Sequence, residues 1–248
     1  MLCSTNMPEV RKLSLLISHQ IFRACGLRVI FAGIVLLVGV SPSLADTDKQ
    51  CLAIWVKPTI DIRVASAVPK IDHGKSSDQI ERIAKKSGYA RSSEHANLLG
   101  LTHSSIGPSL GASTKYTQVI PGKYCIRLDT VKLTFGARRT DIYVDRKYRE
   151  SSCAYQAILE HEKEHVRINE KIVEDYIPKL TKELASRAAA IKPFFTKHPK
   201  QAGRSMINRL LFELDPMLKE FGLARESAND VIDTREAYAE TQKKCDDW

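Results

Sequence analysis

The chain has 248 residues, of which 43% are hydrophobic and 27% are charged, and its formal net charge at pH 7 is +9. This composition is ordinary for a globular protein and excludes a disordered, collagen-like or coiled-coil chain. A chain of this length can bury enough apolar surface to fold without a metal ion or disulfide bonds.

The first 45 residues have the three-part pattern of a secretory signal peptide. Basic residues precede an apolar run, and Ser43-Leu44-Ala45 supplies small residues at the positions that a signal peptidase reads. The run, at 29–40, holds about 12 residues, whereas a membrane-spanning helix needs roughly 20. We therefore predict cleavage after Ala45, a periplasmic or secreted location and no stable membrane span; an uncleaved N-terminal anchor is the alternative.

After the signal peptide, the first half of the chain has mainly strand patterns. Two alternating runs predict strands within 51–68, separated by Pro58, and helical spacing predicts a helix over 78–86 with Ser76 or Ser77 as its N-cap. Residues 87–114 are rich in Ser, Gly and His, which predicts a long loop. Further strands are predicted at 116–120, 124–128, 131–135 and 140–145, with Gly136 in a hairpin turn.

From residue 151 onward the pattern is helical. Strands come first and helices after, without a linker rich in Pro, Gly or Ser. This order predicts that 46–248 is a single α+β domain with a small antiparallel sheet and a helical C-terminal half. One apolar face is expected to lie in the core of a helical hairpin, and it comprises Met206, Leu210, Leu214, Met217, Leu218 and Phe221.

Cysteine usage agrees with export. Four cysteines follow residue 45, and an even number in an oxidising compartment allows two disulfide bonds in three connectivities. We predict Cys51–Cys125 and Cys153–Cys245, with some free buried thiols as the alternative. No two of these cysteines have the C-x2-4-C spacing, so a zinc site built from them is not expected.

The segment His161-Glu162-Lys163-Glu164-His165 is a complete H-E-x-x-H motif in a predicted helix. Residues four apart share one helix face, so both imidazoles can bind one metal ion, and neutral imidazoles suit zinc. Glu162 is then placed to accept the proton of a water that zinc activates. Both histidines lie on an apolar stripe, where a metal ion would satisfy them. The alternative is a solvated, charged helix with incidental histidines.

These residues resemble the metal-binding motif of zincin metallopeptidases, with Glu162 in the place of the general base. The resemblance implies a strand before the motif helix, for which 140–145 is the candidate. More loosely, residues from about 116 to 176 are similar to uncharacterised secreted bacterial families described as zinc-dependent proteases. The matching residues here are Cys125, Leu159, His161, Glu162 and His165.

The third metal ligand must come from another segment. Ile168 and Lys171 stand where metzincins continue with Gly and His, which excludes that subclass. A ligand eight residues further along the same helix would lie about 12 Å from His161, which is too far. An acid-rich stretch that begins at Asn229 and Asp230 offers two candidates, of which Glu236 is our predicted third ligand and Asp233 the alternate. Either can instead be a surface or capping carboxylate.

Other polar residues are weaker candidates. His73, His95 and His103 are expected to be solvated, or else to line a cleft. Tyr143 and Tyr238 are candidates to stabilise an oxyanion, or else packing residues.

We therefore predict an exported zinc-dependent hydrolase with a peptidase as the first choice. Zn²⁺ is the expected cofactor, and a peptide or protein is the expected substrate. A cell-envelope polymer is a further candidate partner because the chain is basic, and no nucleic-acid partner is expected. The alternatives are an inactive, zincin-like, disulfide-stapled module for envelope binding or assembly, and a zinc amidase that acts on peptidoglycan.

Overall fold

The computed structural model describes residues 44–88, 98–246 and 248, and for 44–48 it describes the backbone alone. The predicted signal peptide lies almost wholly outside the described residues, as does His95. The elements, in chain order, are α1 (Leu44–Ala53), β1 (Thr59–Ala65), β2 (Lys70–Asp72), α2 (Ser77–Lys86), β3 (Gly100–Ile120), β4 (Lys123–Val144), α3 (Cys153–Ala190), β5 (Phe194–Thr196), α4 (Pro199–Asp230) and α5 (Arg235–Gln242).

The fold is a mixed α/β structure. Its five-stranded sheet is built around β4, with which each of the other four strands pairs. Strand β3 runs antiparallel along one edge of β4. Along the other edge, β1 and β2 pair in parallel and β5 pairs antiparallel. The predicted antiparallel sheet is therefore wrong. Alternation of apolar residues indicates a strand but carries no information on its direction, which here depends on a partner far along the chain.

Strands β3 and β4 are longer than the sequence pattern predicts. The predicted loop 87–114 is wrong from Gly100 onward, because these small and polar residues form the half-buried edge strand β3. The turn between β3 and β4 contains Gly122, with φ of 73°, and not Gly136. Gly136 lies within β4, and a Cβ there would be 2.1 Å from the carbonyl oxygen of Ala65. Glycine at this position lets β1 approach β4.

The other predicted elements agree in part. Helix α2 is confirmed, with Ser76 as its N-cap. The second predicted strand of 51–68 is β1, but Cys51–Ala53 is the end of helix α1 and not a strand. The helical C-terminal half is confirmed, and its prolines at 178 and 216 lie inside α3 and α4.

The main core lies between the sheet and the two long helices. It includes the predicted apolar face of α4, from Met206 to Phe221, which packs with buried residues of α3 and β4. A second cluster joins the first four turns of α3 to the end of β4. This cluster fixes the N-terminal part of α3, which carries the motif, beside the paired ends of β3 and β4. Its buried residues are Ile142, Val144, Tyr148, Ala154, Tyr155, Ile158, Leu159 and Val166.

Both predicted disulfide bonds are confirmed. Cys51 in α1 is bonded to Cys125 in β4, and Cys153, the first residue of α3, is bonded to Cys245 after α5. Such bonds fit a protein that folds in an oxidising compartment. Within the described part of the chain, none of the helices has the length and apolarity that crossing a membrane would require.

Candidate metal centre

The H-E-x-x-H motif occupies the third and fourth turns of α3. His161 and His165 are one helical turn apart, and their ring centroids are 4.9 Å apart. His165 and Glu162 are buried, and the side chain of His161 is only 10% exposed. The predicted helix and the inward placement of both histidines are therefore present.

A carboxylate from another segment completes the group. Asp233 lies in the short connection between α4 and α5, and its Oδ1 is 3.3 Å from Nε2 of His161 and 3.3 Å from Nε2 of His165. These three residues form a group, within the described structure, that could hold one metal ion, with their potential ligand atoms all within 4.8 Å of one another. Glu236 is exposed in the first turn of α5 and lies outside this group. Asp233, the predicted alternate, is therefore the candidate third ligand of this group, and Glu236, the first choice, is not a member of it.

The distances fit a tetrahedral ion. Zinc binds nitrogen and oxygen ligands at about 2.0–2.2 Å, so two ligand atoms of a tetrahedral site lie roughly 3.3 Å apart. Both histidine-to-aspartate separations have this value. Three protein ligands leave one tetrahedral position for water, which is the arrangement of catalytic rather than structural zinc sites.

Two asparagines orient His165. The amide nitrogen of Asn229 donates to the carbonyl oxygen of Arg225 at 2.7 Å and faces Oδ1 of buried Asn169 at 3.3 Å. Oδ1 of Asn229 therefore accepts from Nδ1 of His165, at 2.7 Å. A proton on Nδ1 leaves Nε2 as the nitrogen that can bind a metal ion.

A tyrosine contacts two of the candidate ligands. The hydroxyl of Tyr238 in α5 donates to Oδ1 of Asp233 at 2.6 Å, and its ring lies 5.2 Å from that of His161. Tyr238 therefore holds a candidate ligand in place, and its role at an oxyanion stays a prediction. Tyr143, the other predicted tyrosine, packs in a core cluster with Ile80 and Leu98.

Glu162 is held by β3. The hydroxyl of Thr102 is 2.7 Å from the backbone carbonyl oxygen of Glu162 and 2.9 Å from its Oε2, and it can donate to either. Gly100 lies against the same side chain, since a Cβ at Gly100 would be 2.5 Å from Oε1 of Glu162. Burial raises the pKa of Glu162, although both histidines and Thr102 act in the opposite direction. A carboxylate with a raised pKa is suited to accept and return a proton near neutral pH.

The charges of the ligands depend on one another. Burial opposes the charged form of His165, but the hydrogen bond to Asp233 and the nearby Glu162 carboxylate outweigh it and raise the pKa of His165. Burial would raise the pKa of Asp233, but hydrogen bonds with His161 and His165 lower it far below its usual range. Without a metal ion, a proton on His165 thus balances the Asp233 carboxylate.

A cavity of about 660 Å³ opens onto this centre. Its wall includes Glu162, His165 and Asp233, together with the predicted His103. His73 lies elsewhere, where it contacts Glu150 and the ring of Tyr155. The C-terminal end of α4 supplies much of the rest of the wall, with Gly222, Leu223, Arg225, Glu226, Asn229 and Asp230.

Sequence reasoning missed four residues of this site. Asn169 follows His165 by four positions and continues its helix face, so the periodicity could have indicated it. Gly100 and Thr102 fall in the segment that was predicted as a loop, and no motif marks them. Arg225 lies four residues before Asn229, and helical spacing alone could have linked the two.

Comparison of the chain with protein-family models, with curated proteins and with solved structures finds no match.

Proposed function

We propose that this chain is an exported zinc-dependent hydrolase that cleaves peptide bonds. One observation carries the proposal: two histidines of an H-E-x-x-H helix each lie 3.3 Å from one carboxylate oxygen of a distant segment, beside a buried glutamate and next to a cavity. The disulfide bonds support the exported location, because they persist in oxidising compartments.

The donor set fits zinc. His161, His165 and Asp233 offer two imidazole nitrogens and one carboxylate oxygen, which is the ligand chemistry of catalytic zinc in hydrolases. Bound zinc would lower the pKa of a water towards neutrality and polarise a carbonyl group. Within the part of the chain that the structure describes, the ligand group has three members. A tetrahedral zinc ion has four coordination positions, so one would remain for water.

The chain's own residues supply the proton transfers. Glu162 adjoins the first ligand and faces the cavity, where its carboxylate accepts a proton from the attacking water and later donates it to the leaving nitrogen. Thr102 keeps that carboxylate in position, and Asn229 and Tyr238 do the same for His165 and Asp233. The cavity is large enough for a peptide segment of several atoms on either side of the reacting carbonyl, since small-molecule sites occupy about 300–1,000 Å³.

Metal content of the purified protein tests the centre. Mass spectrometry of the wild type should find one zinc per chain, and His161→Ala and Asp233→Asn should lose it. Glu162→Gln should keep the zinc, because this residue is not a ligand. Glu236→Gln is the matched control, a nearby carboxylate outside the ligand group, and should also keep it. Iron is measured in the same run, because two histidines and a carboxylate also suit iron(II).

Hydrolysis then separates the alternatives. The zinc-loaded wild type should cleave members of a peptide library, and Glu162→Gln should lose this activity while it keeps zinc. Cleavage of peptidoglycan amides and of no library peptide would favour the amidase alternative. Bound zinc with no hydrolysis of either substrate would favour the inactive envelope module. Failure to bind any metal at neutral pH would refute the proposal as a whole.

A further inference from the structure

A guanidinium group with no ionic partner among the described residues lies in the wall of the metal-site cavity. Arg225 is partly buried in the penultimate turn of α4 and lines the cavity together with Glu162, His165 and Asp233. Its side chain forms no hydrogen bond and no ion pair with any residue that the structure describes. Burial lowers the pKa of Arg225, and the neighbouring Glu226 carboxylate offsets this only in part. A cation that is partly desolvated and unpaired is costly unless a ligand compensates it.

The other fixed cation in this wall behaves differently. Lys219 is exposed and forms an ion pair with Asp215 at 2.7 Å, one helical turn away. Its charge is therefore already balanced on its own helix. Arg225 is the residue that has binding capacity left for a ligand, and a guanidinium binds a carboxylate through two parallel hydrogen bonds.

The backbone of Arg225 is tied to the metal centre. Its carbonyl oxygen accepts from the side chain of Asn229, and Asn229 in turn accepts from His165. Arg225 also lines the cavity that Glu162, His165 and Asp233 line. A substrate group held by Arg225 would therefore lie in the same cavity as the bond that is cleaved.

We infer that Arg225 binds a carboxylate of the substrate and directs cleavage to peptide bonds near such a group. The inference rests on the proposed function and names the substrate class of the same cavity. The carboxylate has two sources, either a free C-terminus or an acidic side chain. The bond that breaks is still the amide, and Arg225 acts by positioning the substrate.

The test compares matched substrates on the zinc-loaded enzyme. One pair of peptide pools differs only in a free or amidated C-terminus, and the other pair differs only in Glu or Gln side chains. In at least one pair, the wild type should cleave the carboxylate form about 10- to 100-fold more efficiently, the range that a charge-assisted hydrogen bond supports. Arg225→Gln should bring this ratio close to one, Arg225→Lys should keep part of it, and Lys219→Gln should leave it unchanged.

Two results would overturn the inference. A ratio near one in both pairs for the wild type would show that no carboxylate is recognised. A ratio that survives in Arg225→Gln would show that the metal ion or another group binds the carboxylate.

Failure of the proposed function would be recognised separately. If the wild type cleaves no peptide, zinc-loaded Glu162→Gln is titrated by calorimetry with N-acetyl-trialanine as the free acid and as the amide. At least tenfold tighter binding of the acid, lost when Arg225→Gln is added, would support a carboxylate site without peptidase activity. Equal binding of the two forms would refute that site as well.

Discussion

Substitution of Gly100 by alanine should separate metal binding from catalysis. Gly100 begins β3 and is not a ligand, but a Cβ at this position would be 2.5 Å from Oε1 and 2.9 Å from Cγ of Glu162. It would also be 2.8 Å from Cγ2 of Ile158, one turn earlier on α3. The new methyl group therefore meets the proposed base and the core residue beneath it.

The size of the effect follows from these contacts. Carbon–oxygen contacts become ordinary near 3.4 Å, so Glu162 must move by about 0.9 Å, and misplacement of this order costs roughly a hundredfold in rate. Overpacking of a core adds about 1–3 kcal/mol of lost stability. For a domain of this size, each kcal/mol lowers Tm by roughly 2–4 °C. The three nearest atoms to this Cβ belong to Glu162 and Ile158 and not to His161, His165 or Asp233, so zinc should stay bound.

The assay measures three quantities on the same preparation: zinc content, Tm and peptide hydrolysis. Gly100→Ala should keep one zinc, melt several degrees lower and lose most of its kcat. Gly111→Ala is the control, because it lies on the same strand and a Cβ there would have no neighbour within 4 Å. Full activity in Gly100→Ala would refute the reasoning, as would loss of zinc with an unchanged melting temperature.

Three further predictions concern the ligands and their support. Asn229→Ala should weaken zinc binding about 10- to 100-fold, measured by competition with a chelator, because His165 loses the partner that fixes its tautomer. Replacing both Cys153 and Cys245 by serine should lower the free energy of unfolding by roughly 2–4 kcal/mol in denaturant titrations, and it should weaken zinc binding because the freed segment carries Asp233. In the metal-free protein, the raised pKa of His165 stabilises the fold below pH 6.5, and this contribution is lost as pH rises through the folded-state pKa. The lowered pKa of Asp233 contributes above pH 3.8 and is lost as pH falls through its folded-state value. Zinc must displace the proton of His165, so the rise in Tm on adding zinc should be larger at about pH 8 than at about pH 5.5; an equal rise at both pH values would contradict this.

Sequence patterns predicted the part of the site that is local in the chain. The spacing of His161 and His165 alone places both imidazoles on one helix face, and the apolar stripe around them indicates which face is buried. Glu162 follows from the same five residues. The disulfide Cys153–Cys245 then indicated correctly that the end of the chain lies near the motif helix.

The third ligand depends on a boundary that patterns place poorly. Helix α4 ends at Asp230 and α5 begins at Arg235, so Asp233 lies in the connection and turns towards the histidines. The sequence pattern predicts a final helix for the acid-rich stretch, on which Glu236 is the predicted third ligand and Asp233, three residues earlier, is the alternate. A break in the helix, and not residue type, decides between them.

Strand direction and the length of β3 also depend on distant partners. Lys70 of β2 pairs with Asp141 and Thr59 of β1 pairs with Thr130, so neither strand has a neighbour in sequence that would reveal its direction. Residues 100–114 have the composition of a loop. They nevertheless form a strand because β4, which has 22 residues, offers backbone partners along this whole segment. Backbone pairing outweighs weak side-chain preference here.

The two disulfide bonds join consecutive cysteines of the described chain, first Cys51 with Cys125 and then Cys153 with Cys245. The loops that they close neither overlap nor nest. A chain that is translocated with its N-terminus first would present each pair before the next cysteine emerges. In such a chain, each disulfide bond can form between the two cysteines already exposed, before the next cysteine appears. This pattern of bonds therefore requires no rearrangement by a disulfide isomerase.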